Sequence, residues 1–515
     1  MVMTVLAGCT TQSSVGRADA GTTAGSATNP SGASPPTGNA PATVTRQTGA
    51  RPTRPLGPGE SPFMTTISAD GRYFLDQSGQ PYLVYGDSPW SMAIDLSNAD
   101  AEWYFQQRHQ QGFNSVLFSA FGGEGSGGGD SENFTTFDGV APFVDGDLTR
   151  YNEPYWERLD GKIALAEKYG FTVFLYVMDT FGENGTFAQW DADHTPEHDY
   201  RVARDYCAFV AGRYKESPNV VYMLGGDYDN DQPNLYAGGM DTMMKDCADS
   251  IKATAPDTLL SIQLTGFPQS NSFDYPGWTT RPDFSFVYSY NPSYDATLQG
   301  YNHRWAAPPT TRPALSMEGP YEGENNKGWP NGAPPLTLRH QMMWSILSGS
   351  PGYFYGRGGV WQFDPGWQEH VSDTGVTAQL GKLSAFMSST TWYQLVPDQA
   401  NTFVTAGKGT PNTQGGNGLG TSNLNVNPET DGYATAALAP DGSLGMVYVP
   451  SARTITVDSS KLRAPVQSVW IDPTNASAEP VPAVFVGNDV TTPGVHPDDL
   501  DGEGEPTSDW LLVMK

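Results

Sequence analysis

The chain has 515 residues, more than one hydrophobic core usually organises, so two folded units and a tail are expected. Hydrophobic residues make up 38% and aromatic residues 12%, which excludes a disordered or collagen-like chain and leaves ample material for a core. A formal net charge of −28, from 56 acidic against 28 basic residues, argues against nucleic acid or an anionic membrane surface as partner.

The first nine residues end Leu6-Ala7-Gly8-Cys9 and resemble a bacterial lipobox, in which Cys9 becomes the lipidated N-terminus, although no basic n-region precedes it. From Thr10 to Pro58 the chain is Ser, Thr, Gly, Ala and Pro with almost no large apolar residue, too little to fold, and reads as a flexible tether. The chain is therefore expected to be exported and held at the cell surface through a lipid anchor. No later stretch approaches the ~18–20 apolar residues that span a bilayer.

Residues 59–400 alternate short apolar runs with amphipathic segments. The expected strands are Tyr82–Gly86, Ser115–Ser119, Thr172–Val177, Val220–Leu224, Leu259–Leu264, Phe284–Tyr288, Pro313–Met317 and Gly352–Tyr355. Ser97 is placed to cap a helix ending at Gly112. Asn152 is placed to cap another with Pro154 near its start, Trp156, Leu159, Ile163 and Ala166 on its inner face, and Gly170 as its stop. Strands that are continuously apolar fit a buried parallel sheet, and eight of them closed on themselves make a (β/α)8 TIM barrel. Cys207 and Cys247 each fall on the apolar stripe of a predicted helix. They read as two buried free thiols, with a disulfide between neighbouring helices as the alternative.

Residues 401–515 read differently. A Gly- and Asn-rich loop through Asn427 precedes alternating strands at Tyr433–Leu438, Leu444–Val449, Thr454–Val457, Val466–Ile471, Val484–Val486 and Trp510–Met514, with Asp441-Gly442 as a hairpin turn. A small antiparallel β-sandwich domain is expected.

In such a barrel the chemistry sits just after the strands, at their C-terminal ends. That filter selects Asp87 after the first strand, the Gly-rich loop from Gly122 after the second and Asp179 after the third. It also selects Asp227 after the fourth, Tyr290 and Asn291 after the sixth, and Glu318 with Glu322 after the seventh. Carboxylates on the fourth and seventh strands face each other across the mouth, as retaining glycoside hydrolysis requires: an acid to protonate the leaving oxygen and a carboxylate to attack the anomeric carbon. Asp227 is the expected acid/base, its pKa raised by Asp229 and Asp231 in the same loop. Glu318 is the expected nucleophile, with Glu322 as the alternative. Trp90, Phe121, Tyr288, Tyr290, Tyr321, Tyr355 and Trp361 supply flat rings for sugar faces, and Asp87 could grip hydroxyls. Tyr288 and Tyr290 are both eligible to donate a hydrogen bond to the nucleophile.

Three other motifs fail on context. His194-Thr195-Pro196-Glu197-His198 matches an inverted zinc-protease pattern, but Thr195-Pro196 reads as a helix start, which separates the two histidines. Gly123-Glu124-Gly125-Ser126-Gly127-Gly128 lacks the following helix of a dinucleotide site. Asp227-Tyr228-Asp229-Asn230-Asp231 lacks the Gly and Glu that complete a calcium loop. No metal and no cofactor is expected.

Tyr85-Gly86-Asp87-Ser88-Pro89-Trp90, Gly112-Phe113-Asn114, Pro218 to Asp227, Met317-Glu318-Gly319-Pro320-Tyr321-Glu322 and Gly349 to Gly356 together resemble the apiosidase-like glycoside hydrolases. The most specific of these stretches is Gly225-Gly226-Asp227. The resemblance spans residues 65–400 and implies Asp227 as acid/base and Glu318 as nucleophile. Here Glu318-Gly319-Pro320 stands where the family often has Glu-Pro. The C-terminal sandwich is similar to a domain, termed collagen-binding, found behind this barrel. The expected substrate is an oligosaccharide or polysaccharide of plant or microbial cell walls, with a furanoside such as apiose as one option, and the chain is read as a monomer. The competing expectation is a non-catalytic carbohydrate- or matrix-binding surface lipoprotein.

Overall fold

A computed structural model describes residues 51–122, 134–179, 183–194, 199–228, 240–264, 271–274, 277–302, 312–324, 332–412, 428–501 and 504–515. Cys9 and the tail, the Gly-rich loop beyond Gly122, Asp229, Asp231, His198 and the Gly- and Asn-rich loop through Asn427 lie outside these residues, as does the side chain of Asp227.

The frame is a parallel sheet of β1 (Val84–Asp87), β2 (Ser115–Ser119), β3 (Thr172–Asp179), β4 (Val220–Tyr228), β5 (Leu260–Leu264), β6 (Ser285–Tyr288), β7 (Ala314–Glu318) and β8 (Gly352–Tyr355). These are hydrogen-bonded in the order β5-β4-β3-β2-β1-β8-β7-β6. Between β5 and β6 a short segment is inserted. The Ser272 hydroxyl donates to Ile262 O at 2.5 Å and accepts from Phe286 N at 2.8 Å, and Asn271 bridges to Val287. The ring therefore closes, and the (β/α)8 barrel is present.

Strand parity divides the side chains into two layers. Leu117, Phe174, Tyr176, Val221, Met223, Leu315 and Phe354 fill the interior. Val116, Phe118, Val173, Leu175, Tyr222, Tyr353 and Tyr355 belong to the layer packed under the helices. Three short antiparallel strands, Met64–Ile67, Phe74–Asp76 and Pro81–Tyr82, stopper the end where the strands begin. Met64, Phe74 and Tyr82 join the interior cluster, and Met64 N donates to Thr172 Oγ1 at the start of β3. Tyr82, expected in the first barrel strand, thus belongs to this plug.

The helices α1 (Asn98–Gln110), α2 (Glu153–Lys168), α3 (Glu183–His194), α4 (Arg201–Tyr214), α5 (Met240–Thr254), α6 (Ser293–Asn302), α7 (Pro335–Leu347) and α8 (Gly375–Ser388) lie around the sheet. Ser97 caps α1 by accepting from Asp100 N at 3.0 Å. Asn152 occupies the same position before α2 but does not cap it: its amide donates instead to Ala141 O at 2.7 Å. Cys207 of α4 and Cys247 of α5 form a disulfide with Cα atoms 5.4 Å apart, which overturns the reading of free thiols. Each cysteine sits on the buried stripe of its helix, and the two stripes meet where the helices pack on each other.

Behind the barrel come β9 (Val396–Pro397), β10 (Val404–Ala406), β11 (Thr435–Leu438), β12 (Gly445–Val449), β13 (Thr454–Val457), β14 (Ser468–Ile471), β15 (Val481–Pro482), β16 (Phe485–Val486), β17 (Asp489–Thr491) and β18 (Trp510–Met514). They form two antiparallel sheets, ordered β9-β11-β12-β18-β14-β15 and β10-β13-β17-β16. Val447, Val449, Leu512 and Met514 pack toward the smaller sheet with Phe403, Ile455 and Val457. Their neighbours Met446, Tyr448, Leu511 and Val513 join the layer outside the barrel. The central strands β12 and β18 of the six-stranded sheet are thus buried on both faces. Arg339 of α7 locks the seam through Asp509 at 2.8 Å and Asp499 at 2.8 Å.

Candidate active site

The mouth is shaped by irregularities at the ends of three strands. Beyond the pair Leu224–Ile262 the next partners are Tyr228 and Leu264, so β4 carries two more residues than β5 over the same stretch. Gly225 and Gly226 absorb the extra length with φ of 106° and 64°, and a Cβ at Gly225 would lie 2.0 Å from Gln263 O. Only glycine fits there. The bulge carries the backbone of Asp227 to the mouth end of β4.

On β7 the register slips between Ser316 and Glu318, which pair with Val287 and Tyr288 respectively. The extra residue changes the parity, so Glu318 is aligned with inward-facing Tyr288 instead of turning toward the helices. A comparable slip on β3 brings Asp179 level with Gly225. Asp179 is buried and accepts a hydrogen bond from the Ser119 hydroxyl.

Both oxygens of Glu318 have neutral donors. Gln263 Nε2 donates to Oε2 at 2.6 Å, and the Tyr321 hydroxyl donates to Oε1 at 3.4 Å. Tyr176 donates to Gln263 Oε1 at 2.6 Å, which fixes the amide with its nitrogen toward Glu318. Trp90 Nε1 donates to the Tyr321 oxygen at 3.0 Å, and its ring centre lies 4.6 Å from that of Tyr176. Burial, followed by the Glu318 charge, pushes the Tyr321 pKa well above the ordinary phenol value, so the hydroxyl keeps its proton and remains a donor. Tyr288 and Tyr290 stand beside this group with ring centres 5.6 Å apart. Trp361 packs on the same cluster from the rim, where its Nε1 donates to Glu324 at 3.0 Å.

Asp87, Glu322 and Tyr355 depart from the expectation of sugar contact. Asp87 and Tyr355 are register partners on β1 and β8, and their parity turns both outward. Asp87 is 1% exposed and accepts from Arg108 Nε at 2.6 Å, Tyr104 at 2.5 Å and Ser88 N at 2.8 Å. The Arg108 guanidinium sits 5.6 Å over the Tyr355 ring, and the Tyr355 hydroxyl donates to Glu322. Glu322 also binds Arg357 at 2.6 Å. Burial raises the Glu322 pKa against the opposing pull of Arg357. These groups hold the barrel wall together. Phe121 likewise packs outside the ring, against Phe134, Phe143 and Tyr206.

Residues 68–394 match the family described as apiosidase-like, catalytic domain. The chain belongs to this glycoside hydrolase family. A solved structure described as a glycoside hydrolase family 5 protein from Bacteroides vulgatus superposes with a TM-score of 0.68 at 19% identity, covering 88% of this chain and 92% of its own. A second, described as a glycoside hydrolase, gives a TM-score of 0.65 at 19% identity over 89% and 97%. Coverage of that extent runs past the barrel into the C-terminal sheets, and it shows a shared fold. No curated protein sequence matches the chain.

Within the apiosidase-like domain, Gln263 and Tyr176 escaped the sequence reading. The available signal was a glutamine near the end of the mostly apolar run Leu259–Leu264, since an amide buried in a barrel strand needs partners. Among the described residues no group of three or more His, Cys, Asp or Glu is placed to hold a metal.

Proposed function

We propose that this protein is a retaining glycoside hydrolase acting on cell-wall glycans, with Asp227 as acid/base and Glu318 as nucleophile. The observation that carries this reading is Glu318 at the re-aimed end of β7, its carboxylate held by Gln263 and Tyr321. A nucleophile must be ionised and oriented, and two neutral donors favour the charged form and fix both oxygens. Glu322, bound to Arg357 and Tyr355, is taken up by the wall.

In the first step the Asp227 carboxyl gives its proton to the leaving oxygen while Glu318 attacks the anomeric carbon and forms a glycosyl ester. In the second, Asp227 takes a proton from water, which attacks the same carbon and releases Glu318. Family membership and the rings of Trp90, Tyr288, Tyr290 and Trp361 support a glycan substrate. A furanoside such as apiose follows from the family's description alone. Export with a lipid anchor at Cys9 remains part of the proposal on the strength of the lipobox.

The test is turnover of an aryl glycoside panel that includes an apioside, with the anomer released first identified by NMR. Glu318→Ala should lower kcat by roughly 10⁴-fold or more, and azide should rescue it as a glycosyl azide. Asp227→Ala should lose general acid catalysis, least with good leaving groups. An inverted first product would replace the mechanism with its single-displacement counterpart. Activity retained in Glu318→Ala, or no turnover with sugar binding intact, would overturn the assignment.

A further inference from the structure

Trp90 follows β1 and is tied down by its backbone. Its carbonyl accepts from Ser119 N, at the end of β2, at 3.1 Å, and the next amide, Ser91 N, donates to Trp361 O at 3.1 Å. The side chain is 6% exposed, so protein takes up most of the ring. An indole N–H can only donate. Trp90 Nε1 donates to the Tyr321 oxygen at 3.0 Å, so the single proton of that hydroxyl must turn elsewhere, and Glu318 Oε1 lies in reach at 3.4 Å. A contact of that length depends closely on how the phenol is held.

The same indole supports the second donor. Its ring centre lies 4.6 Å from that of Tyr176, whose hydroxyl donates to Gln263 Oε1 at 2.6 Å and so leaves the amide nitrogen to Glu318 Oε2, also at 2.6 Å. Each oxygen of the carboxylate thus has a donor that Trp90 helps to hold, through a hydrogen bond on one side and ring packing on the other. We propose that Trp90 is a positioning residue that keeps both donors aimed at Glu318, whatever contact its ring also makes with sugar. This role rests on Glu318 being the nucleophile. An attacking carboxylate must stay ionised and in line with the anomeric carbon, so loosening its donors slows the attack without changing how sugar binds.

Trp90→Phe keeps a ring against Tyr176 and removes the N–H. On an aryl glycoside its kcat should fall about 10-fold with KM changed less than about 2-fold. The acidic limb of the kcat/KM profile should move to higher pH, because a weaker donor to the ionised form raises the carboxyl pKa. The other titratable groups around Glu318 are Tyr321, Tyr288 level with it on β6, Tyr176 and Asp179 on β3, Asp227 at the end of β4, and Glu324, whose charge acts on Tyr321. The substitution alters none of them. Because the N–H acts through the Tyr321 hydroxyl, Trp90→Phe combined with Tyr321→Phe should be no slower than Tyr321→Phe alone. Should Trp90→Phe fail to fold, NMR of the native chain serves instead: the Trp90 indole N–H resonance should follow the titration of Glu318 and cease to do so in Tyr321→Phe. Additive losses in the double variant, a raised KM with kcat and the acidic limb unmoved, or an indole resonance indifferent to that titration would overturn the proposal. Glu318→Ala made alongside separates the two levels. If it stays active, the nucleophile assignment falls and this role with it; if it is inactive while Trp90→Phe is unimpaired, the positioning role alone falls.

Discussion

At the scale of single residues, the carboxylate of Glu318, proposed as the nucleophile, is held by groups that are themselves inert. Gln263 donates to its Oε2, and Tyr176 decides which end of the amide faces the carboxylate. A hydrogen bond to a charged group is worth about 1.5–3 kcal/mol. Gln263→Leu should therefore lower kcat/KM by roughly 10- to 100-fold. It should also shift the acidic limb of the kcat/KM profile to higher pH, because removing a donor to the ionised form raises the carboxyl pKa. A fall in rate with an unmoved acidic limb would mean that Gln263 only packs. Asp87 teaches the opposite lesson. It stands at a strand end, as a sugar-binding acid would, yet Arg108 and Tyr104 reach it from α1 because its parity turns it outward.

At the scale of elements, the bulges do the aiming. Without the extra residue near Met317, Glu318 would follow Ser316 toward the helices; with it, the side chain stands level with Tyr288. Gly225 serves β4 in the same way and sits where a Cβ would meet Gln263 O. Gly225→Ala should cost more than about 1 kcal/mol of stability. Because the strain falls on Gln263, kcat/KM measured well below Tm should drop as well; a variant less stable but fully active would separate the bulge from catalysis. The disulfide joins α4 to α5, the helices before and after β4, across a sequence separation of 40. Chain entropy puts its contribution at up to about 4 kcal/mol. Cys207→Ser, or reduction of the native protein, should lower Tm in calorimetry, and an unchanged Tm under reducing conditions would show that the tether adds nothing.

At the scale of the molecule, the C-terminal sheets complete the barrel's outer layer as well as forming a sandwich. Met446, Tyr448, Leu511 and Val513 share one buried layer with the helices, and Arg339 is sealed against Asp509 and Asp499. His340 lies in the same seam with its ring 5.8 Å from that of Tyr448 and Nδ1 3.0 Å from Pro428 O. Burial pushes its pKa down to about 4, so the folded protein holds it neutral. Between about 6.5 and about 4 the unfolded chain binds the proton and the folded one does not, so stability falls on acidification through that window. The loss approaches about 3 kcal/mol and is complete below the folded value. In His340→Gln, Tm should fall less than in the native chain between pH 6.5 and 4, while the difference between the two should stay constant above pH 7. Parallel curves across the whole range would sink this account.

Short apolar runs broken by Gly, Pro and capping residues were enough to read the eight barrel strands, the helices between them, the antiparallel character of the C-terminal part and the strand ends where acids gather. Those are local properties, written in periods of 2 and 3.6 residues and in turn chemistry. Neighbours distant along the chain decided the rest. Whether Asp87 meets sugar or Arg108, whether Cys207 finds Cys247, and which amide holds Glu318 depend on register and parity between strands. One extra residue in a bulge reverses parity, and no local pattern reports it. The same holds for the six-stranded sheet: alternation along Gly445–Val449 and Trp510–Met514 does not say that one face meets the smaller sheet and the other the layer outside the barrel.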